Sequence, residues 1–186
     1  MRIFSALFLL LFCFQTQAQN DNYINQKYWG IFVQYGLAYY ELPEDQVYQP
    51  ILIGAIHYLP IYKSKTAFNV GMNIMPHIGF ARYNSKLNFE FGANVQFDAN
   101  VRIGKNHIVS LRAGAGPHFV NVETEEQSNG FIFSDNFALS YRTKLKDMHQ
   151  IGLVAGWRHM SNAGLMQPNG GIDNYMFGLE YAKFME

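Results

Sequence analysis

Residues Leu87 to Ile103 read LNFEFGANVQFDANVRI, and the alternation in this stretch decides the fold. Leu87, Phe89, Phe91, Ala93, Val95, Phe97, Ala99, Val101 and Ile103 alternate without a break with Asn88, Glu90, Gly92, Asn94, Gln96, Asp98, Asn100 and Arg102. Successive side chains of a strand point to opposite faces, so the segment is a strand with one apolar and one polar face. No soluble sheet needs a two-sided pattern of this length. A strand that crosses a bilayer, with one face against lipid and the other toward a polar interior, does.

The same period recurs on both sides of it. Trp29, Ile31, Val33, Tyr35, Leu37 and Tyr39 define a first strand, and a less regular segment from Ile51 to Leu59 a second. A third carries Phe68, Val70, Met72, Ile74, Ile78 and Phe80 on one side and Asn69, Gly71, Asn73 and His77 on the other, with Pro76 tolerable only at a bulge or an unpaired position. Beyond the opening stretch, Val109, Leu111, Ala113, Ala115 and Phe119 mark a fifth strand. Phe131, Phe133, Phe137, Leu139 and Tyr141 mark a sixth, in which Asp135 breaks the apolar face near one end. Ile151 to Ser161 and Asp173 to Tyr181 supply the seventh and eighth. Lipid offers no partner to an unpaired sheet edge, so the expected fold is all-β, an eight-stranded antiparallel transmembrane β-barrel of the bacterial outer membrane. An interior that narrow holds side chains rather than a pore, so Glu90, Asp98, Arg102, Arg112, Arg142, Arg158 and Glu180 should pair with one another inside.

Composition agrees. The chain has 16 Phe and 12 Tyr at a mean hydropathy near zero, as expected of aromatic girdles around a polar interior. Residues 1–18 follow the order of a secretory signal peptide: Arg2, the apolar run Ile3 to Phe14, then Gln15-Thr16-Gln17-Ala18, with cleavage expected after Ala18. This leaves one barrel domain over 19–186. The only cysteine, Cys13, leaves with the signal, so no disulfide or Cys-based metal site is expected. Losing Arg2 changes the balance from 14 basic against 14 acidic residues to 13 against 14, which gives no support for nucleic-acid binding. Short connections at 104–106 and 146–148 suit the periplasmic side, and longer ones at 41–50, 122–129 and 162–171 the outside. His57, His77, His107, His118 and His149 show no zinc-ligand spacing, and neither a metal nor a cofactor is expected. A phosphate loop and a Gly-x-Ser-x-Gly elbow are both missing, which leaves the common soluble enzyme classes little support.

The chemistry gathers at the last hairpin, GWRHMSNAGLMQPNGGIDNYMFGLEY, Gly156 to Tyr181. Strand parity puts Trp157, His159 and Ser161 on one face. After a turn built from Pro168, Asn169, Gly170 and Gly171, Asp173, Tyr175 and Phe177 return on the same face. Register numbers summing to about 332 would set Asp173 opposite His159 and Tyr175 opposite Trp157, whereas a one-residue slip would turn the acid inward. A serine hydroxyl becomes a nucleophile when an imidazole takes its proton and a carboxylate fixes the imidazole's tautomer. Taken alone, His-x-Ser arises by chance in many chains, and the plain reading is a strand leaving its apolar surroundings.

The longer string RHMSNAGLMQPNGGID resembles the signature of the PagL-type lipid A 3-O-deacylases, outer-membrane barrels that remove an ester-linked acyl chain from lipopolysaccharide. The family pattern is His-x-Ser-Asn, then a Gly/Pro/Asn loop and an acid. The resemblance implies His159 as general base, Ser161 as nucleophile, Asp173 as the orienting acid and Asn162 as an oxyanion or positioning group. It departs at the acid, where the family carries Glu and this chain the shorter Asp173. The partner so implied is lipid A or lipopolysaccharide in the outer leaflet, with a homodimer left open. The competing expectation is a non-enzymatic small barrel of structural or adhesive role, in which these side chains would be splayed apart or turned inward.

Overall fold

The computed structural model describes residues 23–39, 47–146 and 148–185. The expected signal segment and the loop residues Glu41, Pro43, Glu44 and Asp45 lie outside the described residues. A single turn of 3₁₀-helix, Tyr23–Asn25, precedes eight strands: β1 Tyr28–Ala38, β2 Gln49–Lys63, β3 Phe68–Tyr83, β4 Lys86–Ile103, β5 His107–Val120, β6 Gly130–Lys144, β7 His149–Ser161 and β8 Ile172–Phe184. Each pairs antiparallel with the next, and β8 pairs with β1 to close the barrel. Closure gives every strand two neighbours, which removes the edges that hydrocarbon could not satisfy.

In β4 the odd-numbered residues face out and the even-numbered face in, as the alternation requires. The register also fixes the stagger. From Trp29 the Cα partners run through His57, Ile74, Val95, Ala115, Asp135, His159 and Asp173. The row returns to β1 at Tyr39, whose N–H donates to Asp173 O at 3.2 Å. That is ten residues beyond the start (39 minus 29), so the strands are strongly tilted. One oblique row thus links one end of the barrel at Trp29 to the other at His159 and Asp173.

Prolines account for the irregularities. At Pro76, which has no N–H to give, the β2–β3 ladder is interrupted between the pairs Gly54–His77 and His57–Ile74 without a change of register. The irregularity of β2 has its own cause in a register shift between Pro60 and Tyr62. One connection departs from the expected division into short and long loops. β3 and β4 meet in the two-residue turn Asn84-Ser85 at the end that otherwise bears the long loops; both residues have positive φ (49° and 58°), the geometry of a tight hairpin turn.

The interior is held by charge pairs, as expected. Arg112 bridges Asp98 (Nε to Oδ1, 2.9 Å) and Glu180 (Nη1 to Oε1, 2.5 Å). Arg142 lies 3.6 Å from Asp98 and donates to Tyr28 Oη at 2.5 Å and to Asn100 Oδ1. Nearer the other end Arg158 binds Glu90 bidentately (2.9 and 3.0 Å) and Ser134 Oγ (3.1 Å), while Tyr48 donates to Glu90 (2.8 Å). Arg102 is buried on the same face. Apolar plugs close the interior at both ends, one around Tyr28, Tyr58 and Phe184, the other around Tyr83, Ile132 and Met160.

Removing one partner of such a buried network strands the others without compensation. Arg112→Met is therefore expected to lower unfolding stability by about 3–5 kcal/mol. Leu111→Ala, at its neighbour on the lipid-facing side, should cost clearly less. Urea unfolding from lipid vesicles, followed by tryptophan fluorescence, compares the two.

Candidate active site

β7 leaves the barrel at Arg158-His159-Met160-Ser161, and its alternation sends Arg158 and Met160 inward while His159 and Ser161 stay on the outer face, half-buried. Arg158 is anchored by Glu90 and Ser134. The backbone that presents His159 is thus fixed from within. The register is the expected one: His159 pairs with Asp173 and Trp157 with Tyr175. His159 Nδ1 lies 3.0 Å from Asp173 Oδ1. A carboxylate only accepts, so Nδ1 carries the proton of this bond, and in the neutral imidazole Nε2 presents its lone pair. The side chains are 26% and 17% exposed, which leaves the imidazole open to a reactant.

Two further groups shape the imidazole. The indole of Trp157 stacks beside it (ring centroids 5.8 Å apart, planes at 18°). Gly171, at φ +90°, packs against it so closely that a Cβ there would press on Cε1 and stand 3.0 Å from Nε2. Ser161, two residues along the same face and opposite Phe133, makes no hydrogen bond to His159 or Asp173 in this structure.

Asn162 is turned inward and buried. Its Nδ2 donates to Ser128 Oγ (2.7 Å) and Met166 O (2.9 Å), its Oδ1 accepts from Gly164 N–H (3.0 Å), and its own N–H donates to Asn169 Oδ1 (2.8 Å). Both protons of the amide are thereby engaged, one within the loop at Met166 and one with Ser128 of the β5–β6 connection. The loop is in turn bound to the β5–β6 connection by Ser128 N–H to Pro168 O (3.0 Å), Gly170 N–H to Glu126 O (2.6 Å) and a Gln127–Asn169 bridge.

Sequence reasoning assigned 122–129 to the outside but passed over its contact with 162–171, because a contact between two irregular segments leaves no periodic trace. It also passed over Asp135, the β6 partner of His159 and an exposed carboxylate on its other side. The signal was there, as the one break in the apolar face of β6. Among the described residues no group of three or more His, Cys, Asp or Glu could hold a metal.

A closed eight-stranded antiparallel barrel with an aromatic, bilayer-facing wall defines a protein of the outer-membrane barrel class. The sequence profile of the lipid A 3-O-deacylase (PagL) family matches residues 12–182, and the chain belongs to that family. Family membership supports lipid A 3-O-deacylation, a hydrolysis, as its activity. Among solved structures, the crystal structure of the outer membrane enzyme PagL is similar in fold, with a TM-score of 0.63 at 16% identity over 81% of this chain and 97% of that one. The Yersinia pestis outer membrane protein Ail overlaps more loosely, with a TM-score of 0.40 at 11% identity over 84% of this chain and 99% of that one. No curated protein sequence matches the chain.

Gly171→Ala tests whether the position of the imidazole matters. The new methyl must displace the His159 ring in a backbone already at positive φ. Displacements of this size cost about 10²-fold in rate. Lipid A deacylation, followed by mass spectrometry, should fall on that order while the barrel keeps its heat-modifiable gel mobility.

Proposed function

We propose that the protein hydrolyses the 3-O-acyl ester of lipid A at the outer leaflet by serine catalysis, with Ser161 as nucleophile, His159 as general base and Asp173 as the acid that orients it. The single observation that carries this reading is the 3.0 Å bond from His159 Nδ1 to Asp173 on the outer face of the barrel. A histidine bonded to an acid on a face turned to the bilayer has no packing role to justify its cost. Here it lies at the end bearing the longer loops, which suits the external side.

In the proposed cycle Ser161 Oγ attacks the ester carbonyl carbon as its proton passes to His159 Nε2. The tetrahedral adduct collapses, and the sugar oxygen leaves with the proton from His159. The acyl chain remains on Ser161 as an ester. Water, deprotonated by His159, attacks that ester and releases the fatty acid, which regenerates the Ser161 hydroxyl. Ser161 is not bonded to the imidazole in the free protein, and such bonds commonly tighten only when substrate binds. With both side-chain protons of Asn162 committed to Ser128 and Met166, this residue is better suited to positioning the turn. The oxyanion would then be held by a backbone N–H of that turn.

The observation that favours a non-enzymatic barrel is the lack of a hydrogen bond between Ser161 and His159. Mutation separates the two readings. Ser161→Ala should leave an inserted, folded barrel with no lipid A deacylation. Asp173→Asn should lower turnover by about 10³–10⁴-fold through the wrong imidazole tautomer. Asp173→Glu, which restores the family's acid, should retain substantial activity. Turnover that survives Ser161→Ala would rule out serine catalysis, and a parent rate in Asp173→Asn would remove Asp173 from the mechanism.

A further inference from the structure

Among the described residues the exposed charges are unevenly divided between the two ends of the barrel. Of eight lysines, seven (Lys27, Lys63, Lys65, Lys105, Lys144, Lys146 and Lys183) lie in, or within two residues of, the connections and chain ends opposite the His159 end. None forms an ion pair with the described residues. The described exposed carboxylates, Glu123, Glu125, Glu126 and Asp135, belong to the other end. Even with Asp147 and Glu186 adjoining them in sequence, seven lysines give this rim an excess of positive charge, a binding surface for anions whose place on a membrane barrel restricts which anion can reach it.

Lys183 shows how the surface is built. It is the Cα partner of Trp29 on one side and His149 on the other, and all three point outward. Trp29 stacks on His57 (centroids 4.0 Å apart). Tyr181 shares a 2.8 Å hydrogen bond with His149 Nδ1 and stacks on its ring. This polar row ends an otherwise apolar wall in which Ile31, Leu153 and Leu179 are more than half exposed. The backbone ties Lys27 O to Met185 N–H (2.8 Å) and Met148 O to Phe184 N–H (2.8 Å), which keeps the residues beside Lys27 and Lys146 against the end of β8.

An ammonium group amid indole, imidazole and phenol, directly below aliphatic side chains, matches a phosphodiester joined to acyl chains. Aromatic rings of this kind sit at headgroup level, and basic residues there attract anionic lipids. Lipid A is not the fit, because the oblique row that starts at Trp29 climbs all the way round the barrel before reaching His159. We propose that Lys183, flanked by Trp29 and His149 and supported by Lys27 and Lys146, binds the headgroup of an anionic phospholipid in the leaflet opposite the ester substrate. The inference rests on the barrel and its charge division, and not on the ester chemistry.

The test uses the purified full-length barrel in neutral micelles, with lipid retention measured by native mass spectrometry and by titration. Phosphatidylglycerol should bind in preference to phosphatidylcholine, and raised salt should weaken it. Combining Lys27→Gln, Lys146→Gln and Lys183→Gln should reduce phosphatidylglycerol affinity at least tenfold, while Lys86→Gln at the other end leaves it unchanged. Lipid A deacylation should stay at the parent rate in the triple variant, which separates this surface from the catalytic proposal. Equal binding of the two phospholipids, or parent affinity in the triple variant, would overturn the inference. So would competition by glycerol 3-phosphate at the affinity of the intact lipid, since the site would then be one for free phosphate.

Discussion

In hydrocarbon each backbone N–H and C=O must find its partner within the protein, and the rest of the structure depends on that constraint. It forces the eight strands to close through β1 and β8. Closure at this strand number and stagger leaves an interior wide enough only for side chains. The polar face then has nowhere to go but inward, and its charges must neutralise one another. Asp98, Arg112, Arg142 and Glu180 form one such group and Glu90 with Arg158 another. Proline obeys the same constraint: Pro76 falls where the β2–β3 ladder has no bond to lose.

The interior pairs also bear on the surface. Arg158 and His159 are consecutive, so the bidentate grip of Glu90 on Arg158 fixes the backbone that carries the imidazole on the opposite side. The loop beyond Ser161 is held in the same way, from beneath, by Asn162 and its bonds to Ser128 and Met166. Side chains on the lipid-facing side of a strand thus gain rigidity from groups buried on its other face. That explains why a cluster placed at a strand end and loop can keep a defined geometry.

Much of the fold could be read from the chain because its strands alternate so sharply. β4 follows a strict period of two from Leu87 to Ile103, and its burial repeats that pattern. β2 was harder, because Pro60 shifts its register and Pro50 blurs its start. At the site, parity and the sum rule located the His159–Asp173 pair, since both members lie on regular strands with one possible register. What could not be read was irregular: the bracing of residues 162–171 by 126–128, and the way in which Asn162 spends its amide. Loop-to-loop contacts depend on backbone directions that no hydropathy period encodes. Asp135 was visible as a break in β6, but only the β6–β7 register gives that break a neighbour.

The same register accounts for how a side chain as short as Asp173 reaches the imidazole. Residues directly opposite on antiparallel strands have Cβ atoms about 4.5–5.5 Å apart. From there an aspartate reaches a neighbouring imidazole nitrogen without bending, and Asp173 does so at 3.0 Å. A glutamate at the same place would have about 1.5 Å of additional chain to fold away, using the freedom of one more torsion. Asp173 is therefore not a shortened acid that fails to reach. Set directly across from His159, the shorter side chain gives the more tightly defined bond, and that bond depends wholly on register, because a one-residue slip of β8 would turn the acid to the inner face whatever its length.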